Sequence, residues 1–142
     1  MTASETPIGL LVASVAKLLS REFDAALVAV GGSRSTWLVL QSLKGAGHRT
    51  QGELAEAMGI RQPTLSHHLD ALEHDGLVRR ERASDNRRVQ RVTVTESGEA
   101  LFLRLRRAAG AFEGRLRAGL DDAEVAELRR LLAQLAENAP PD

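Results

Sequence analysis

The chain has 142 residues, enough for one domain with a substantial core but too few for two independent ones. Its 43% hydrophobic and 27% charged residues are those of an ordinary globular protein, and the absence of cysteine excludes disulfides, thiolate metal sites and thiol-based redox sensing. No apolar run reaches the roughly 18 residues that a membrane span needs, and no basic-then-apolar leader opens the chain, so a cytoplasmic protein without a membrane partner is expected. Net charge is zero, yet between Gly76 and Thr95 six arginines (Arg79, Arg80, Arg82, Arg87, Arg88 and Arg91) are set against only Glu81 and Asp85. The result is a basic stripe on an otherwise acidic body, and the field near such a stripe attracts a phosphate backbone whatever the average charge.

Thr6-Pro7 reads as an N-cap followed by proline at the first helical position, and Ile8, Leu11, Val15, Leu18, Leu19 and Ala26 recur at helical spacing to about Val30. Gly31-Gly32 breaks that helix, and Ser33 or Ser35 can cap a second one through Trp37, Leu40 and Leu43. Residues 44–49 read as a loop. Thr50-Gln51-Gly52-Glu53 has the capping-box pattern and opens a short helix with Leu54, Ala55 and Met58, which Gly59 ends. A fourth helix starts at Gln62-Pro63-Thr64, with Leu65, Leu69 and Leu72 on one face, and runs to Asp75-Gly76. Leu77 to Arg82 and Val89 to Thr95 are β-rich segments joined by the turn-forming Ala83-Ser84-Asp85-Asn86, which together read as a hairpin. Thr95 can cap a long helix striped with Leu101, Leu105, Ala108, Phe112 and Leu116, although Gly110 and Gly114 inside it each cost about 1 kcal/mol relative to alanine. A last helix opens at Asp121 with Glu124 three residues on and carries Val125, Leu128, Leu131, Leu132 and Leu135.

The middle third carries the functional signal. Leu54-Ala55, Gly59-Ile60, Leu65, Leu69, Leu72 and Gly76-Leu77-Val78 stand where two short helices cross and a hairpin folds back on them, with small Ala55 allowing the close crossing. At these residues the chain resembles the winged helix-turn-helix regulators. Four further segments, Trp37-Leu38-Val39-Leu40, Thr50 to Ala55, Leu72 to Val78 and Val94-Thr95-Glu96-Ser97-Gly98, narrow the resemblance to the MarR family over nearly the whole chain. Asp85-Asn86-Arg87 lies one residue further from Thr95 than the family's Asp-x-Arg, a difference that a bulge or longer turn at the wing tip would absorb.

The resemblance implies a mainly α fold with a small β-hairpin wing, in a single domain over residues 1–142. A winged helix-turn-helix lobe would occupy about 33–95, and dimerisation helices about 6–30 and 96–138. It also implies a homodimeric, DNA-binding transcriptional repressor that is not an enzyme and needs no cofactor or metal. Such a fold places the start of its second short helix in the major groove. Arg61, Gln62, Pro63, Thr64, Ser66 and His67 are therefore the expected contacts of the recognition helix, with Arg82, Asp85, Arg87 and Arg88 on the wing. A small aromatic or phenolic effector would lie near Phe23, Arg34, Trp37 and Phe112, and the dimer interface would take in Leu11, Val15, Leu128, Leu132 and Leu135.

Plainer readings stand beside these. His67, Asp70 and His74 share the outer face of the fourth helix and could converge on zinc, but groove-facing polarity explains them equally well. Trp37 can be a core residue, and the arginine run can be the charged edge of a small sheet. No phosphate-cradling glycine loop, nucleophile motif or metal-ligand spacing is present. Two alternatives to an effector-released repressor remain: a constitutive DNA-binding regulator, and a winged-helix module that docks a partner protein.

Overall fold

The computed structural model describes residues 4–45, 48–82, 85 and 89–141. Six helices and three short strands follow the order α1 (Ile8–Val28), α2 (Arg34–Lys44), β1 (His48–Thr50), α3 (Gln51–Met58), α4 (Gln62–His74), β2 (Val78–Arg82), β3 (Gln90–Val94), α5 (Glu96–Leu116) and α6 (Asp122–Asn138). The chain divides into two compact units, residues 1–109 and 110–142. Among the described residues no helix is long and apolar enough to cross a membrane.

Most boundaries follow from local chemistry. Ser33, not Ser35, is the N-cap of α2, its hydroxyl accepting the Thr36 N–H at 3.2 Å. Thr50 caps α3 by accepting the Glu53 N–H at 3.1 Å, and Gly59 closes that helix with φ +66°, a left-handed conformation that side chains disfavour. Asp121 and Glu124 form the reciprocal box expected of them at the start of α6, at 2.7 and 3.0 Å. Two expectations need correction. Pro7 itself, not Thr6, holds the cap position of α1, so the helix starts one residue later than the sequence suggests. His48 and Arg49, read as loop, form strand β1 together with the helix cap Thr50, which adds an outer strand to the wing hairpin.

The sheet is antiparallel in the order β1-β3-β2, with His48 opposite Thr93 and Val78 opposite Val94. Val92 in the central strand is fully buried. Around it the first unit assembles one core from Leu27 of α1, Val39, Leu40 and Leu43 of α2, Leu54 of α3, Leu65 and Leu69 of α4 and Leu105 of α5, all fully buried, with no buried polar or charged residue among those described. Each such leucine contributes about 1.5–3 kcal/mol by burial before entropy is deducted.

The joint between the wing and α5 explains the Thr-x-x-Gly pattern at residues 95–98. The Thr95 hydroxyl donates to the Gly76 carbonyl at 2.6 Å and accepts the Gly98 N–H at 3.1 Å, while the Thr95 N–H reaches the Leu77 carbonyl at 3.1 Å. One threonine thus caps α5 and ties it to Gly76 and Leu77 of the α4–β2 turn. Gly98 is small because it must be: a Cβ there would run into the Leu77 carbonyl oxygen and lie 2.7 Å from Val94 Cγ1. In the second unit a Cβ on Gly114 would meet nothing within 4 Å. Gly98→Ala should therefore cost about 1–3 kcal/mol, whereas Gly114→Ala should stabilise by about 0.5–1 kcal/mol through helix propensity. Denaturant titrations of both variants check this, and a loss of stability at Gly114 would place another surface against that face.

Candidate nucleic-acid interface

Helix α4 begins at Gln62 with Pro63 in its first turn and Arg61 at its N-cap. Its inward positions Leu65, Leu69 and Leu72 are buried, so the remaining positions are forced outward by the 3.6-residue period. Arg61, Gln62, Pro63, Thr64 and His67 are exposed and Ser66 is half-buried. The exposed residues lie at the start of the helix, on the side away from the leucine stripe.

Beside it the first turn of α3, the start of α4 and the two wing strands enclose an open groove of about 720 Å³, lined by Thr50, Gln51, Gly52, Gln62, Arg82 and Gln90 among others. Gln62 and Arg82, two of the sequence-predicted residues, therefore share one groove, with Val89 also in its lining. Thr50, Gln51, Gly52 and Gln90 were not predicted. Their only sequence signal is that the cap of one short helix precedes the other at fixed spacing, which brings Gly52 within 3.7 Å of the Gln62 amide nitrogen, measured from an ideal Cβ. Asp85 is exposed, and Arg87 and Arg88 lie outside the described residues.

A smaller cavity of about 170 Å³ flanks α4 on another side, where His67 and His68 meet Ser33, Ser35 and Thr36 of the α2 start. The two imidazole rings are 6.2 Å apart and tilted by 53°. Asp70 is not held for a metal with His67 and His74: it accepts an ion-pair hydrogen bond from Arg80 at 2.5 Å. Among the described residues no group of three histidine, aspartate or glutamate side chains is placed to hold a metal ion.

Arg80 departs from the basic stripe read in the sequence. Its guanidinium bonds Asp70 and, at 3.1 Å, Glu73, and its backbone N–H donates to the second Glu73 oxygen at 3.1 Å. The side-chain bond from Arg80, followed by that from its backbone N–H, holds the Glu73 carboxyl below the ordinary carboxylate range. Glu53 is likewise lowered, first by the Thr50 hydroxyl 2.8 Å away and then by the Thr50 backbone N–H, with Arg49 and Arg91 nearby.

Of the residues expected to line an effector pocket, Phe23, Arg34 and Trp37 lie in the first unit and Phe112 in the second. The Arg34 guanidinium lies 5.8 Å over the Phe23 ring and bonds Asp24 at 2.9 Å, while Trp37 stacks on Phe102 at 5.5 Å and 15°. Trp37 thus packs against the core of the first unit. Phe112 stands in the second unit, with Arg115 5.7 Å from its ring. Of the residues expected at a dimer interface, Val15, Leu128 and Leu132 are 44%, 47% and 43% exposed, and Leu11 and Leu135 are half-buried.

A short helix crossing a second one that bares its N-terminal turn beside a β-wing defines a winged helix-turn-helix DNA-binding protein. Residues 33–89 match the model of the MarR family. A cysteine-to-serine mutant of MarR from E. coli, complexed with operator DNA, is 26% identical and superposes with a TM-score of 0.78 over 91% of this chain and 93% of that one. The transcriptional repressor CouR bound to a 23-mer DNA duplex is 27% identical, with a TM-score of 0.80 over 92% of each chain. A MarR-family regulator from Rhodococcus sp. RHA1 is 28% identical, with a TM-score of 0.73 over 91% of each. Residues 33–89 thus match the MarR family, and the chain is a DNA-binding transcriptional regulator with the winged helix-turn-helix fold of these proteins.

The depressed Glu73 carboxyl makes the α4–β2 contact pH-dependent. A carboxylate held below its unfolded value of about 4.3 adds stability that is fully present above that value and is lost as pH falls through the folded one. Wild type should therefore be more stable than Glu73→Gln at pH 7, with the difference shrinking below about pH 4. Urea titrations at a series of pH values measure it, and a difference that persists unchanged at pH 2.5 would contradict the assignment.

Proposed function

We propose that the protein is a homodimeric repressor of a pseudo-palindromic operator, released by a small-molecule effector. The observation that carries the DNA-reading part is the exposure of Arg61, Gln62, Pro63, Thr64 and His67 on the first turns of α4, next to the groove shared with Arg82. Gln62 can bond an adenine edge in two places, Thr64 and Ser66 serve as less selective readers, and the wing residues Arg82, Asp85, Arg87 and Arg88 lie along the adjoining backbone or minor groove.

Homodimerisation is supported by α1 and α6. Helix α6 has no buried residue, and its Leu128, Leu131 and Leu132 are all more than two-fifths exposed; on α1 Ile8, Leu10, Val15 and Leu18 are exposed as well. Apolar faces of that extent on two amphipathic helices are what a second copy would cover. Recognition helices of a dimer sit about one DNA turn, roughly 34 Å, apart, so a small rotation of either lobe misaligns both. The effector would act on that spacing, near Phe23 and Arg34. The stacking of Trp37 on Phe102 favours a second reading, a constitutive regulator without an effector, because it commits the lone tryptophan to the core. Release of bound duplex by a phenolic compound at saturating concentration separates the two.

Arg87→Ala with Arg88→Ala should weaken binding to all duplexes and flatten the slope of log K against log salt by up to about two. Fluorescence anisotropy at several salt concentrations measures the slope, and an unchanged value removes the wing tip from the interface. For the dimer, Leu128→Asp with Leu132→Asp should give a monomer or an unfolded chain with collapsed operator affinity, since each leucine is worth about 1.5–3 kcal/mol when covered. A dimer that survives in light scattering, with operator binding intact, would move the interface elsewhere.

A further inference from the structure

Successive residues of a strand point to opposite sides, so Arg80 shares its side of β2 with Val78, which is 2% exposed, and not with Arg79 and Glu81. Its side chain is accordingly only 16% exposed, while those of Arg79 and Glu81 are 66% and 65% exposed. A guanidinium turned inward needs partners, and both come from α4. Asp70 and Glu73, on successive turns of that helix, take its two ion-pair bonds, and Glu73 also takes the Arg80 backbone N–H. Glu73 lies in the last turn of α4, where a negative charge opposes the helix dipole, so its placement there serves the contact with β2 and not the helix. Three hydrogen bonds thus join the wing to the helix that carries the outward polar set.

We propose that Arg80 is a positioning residue for sequence reading: it fixes the wing against α4, so that the two elements engage a duplex together only when its groove geometry matches their spacing. The inference rests on the DNA-reading role given to α4 and the wing above. In it Arg80 touches no phosphate. It lowers the cost of holding two separate reading elements in register, a cost that an unclamped wing would meet anew at each binding event.

Glu73→Ala tests this because electrostatics and positioning give opposite signs. Removing the carboxylate makes the protein more positive by one charge, so if Arg80 merely lends charge to a basic stripe, binding to every duplex should tighten. Under the positioning role, affinity for the duplex that wild type selects from a random 30-mer pool should fall about tenfold. Affinity for a scrambled duplex of the same composition should not fall, and the salt slopes should stay as they were. Arg80→Lys, which keeps the charge but loses the planar fork, should shift the ratio in the same direction, and it carries the test if Glu73→Ala fails to fold by circular dichroism. An unchanged ratio in the folded variants, or tighter binding to both duplexes, overturns the proposal. A wild-type protein that does not prefer its selected duplex to the scrambled one overturns the DNA-reading role itself, and this proposal with it.

Discussion

Leu65, Leu69 and Leu72 are buried together, and because they recur at intervals of four and three residues only one rotation of α4 about its axis satisfies all of them. The rest of the interface depends on that rotation. It turns Gln62, Pro63, Thr64 and His67 outward without any interaction devoted to doing so, and it aims Asp70 and Glu73 at the inward face of β2. The same core that stabilises the lobe therefore selects which side chains are available to a ligand, and a side chain moved by one position on α4 would leave one set for the other.

Zero net charge and nucleic-acid binding are compatible here because charge is sorted in space as well as in sequence. The structure sorts it more finely than the sequence stripe suggests: among the described wing arginines Arg80 is paired with two surface carboxylates of α4, Arg79 lies 3.9 Å from Glu81, and Arg82 opens onto the groove. Counting arginines along the chain treats them as equivalent. Alternation in β2 makes them unequal, since a two-residue period gives neighbouring arginines opposite environments.

Much of this was legible in advance, for reasons that differ by element. The caps at Ser33, Thr50 and Asp121 are local, requiring only a side chain and an amide two or three residues away, and sequence reasoning finds such features well. The leucine stripes of α4 and α5 are periodic and equally plain. Strand β1 was missed because three residues carry no period and its partner, β3, is far along the chain. Phe102 was missed as a core residue because it sits beside Leu101, one step off the expected stripe, and both are buried. Of the residues lining the groove between α3, α4 and the wing, Gln62 and Arg82 were readable from the helix-turn-helix pattern. The places of Gln90 and of the first turn of α3 in that groove depend on how three elements close around it, which no local window contains.

The order of strands in the sheet also bears on how it forms. β3 can pair with β2 as soon as the hairpin closes, a local event, whereas its other edge waits for residues 48–50 to arrive across the whole length of α3 and α4. The entropy of closing that longer loop is met only once α3 and α4 have packed and brought the start of α3 alongside. β1 runs directly into the Thr50 cap of α3, so its pairing registers the completed helical pair on the hairpin. Until then β3 presents an open edge, and the short, three-residue length of β1 limits how much of it is covered even afterwards. The β2–β3 pairing is thus local in sequence, whereas the β1–β3 ladder joins residues that α3 and α4 separate along the chain.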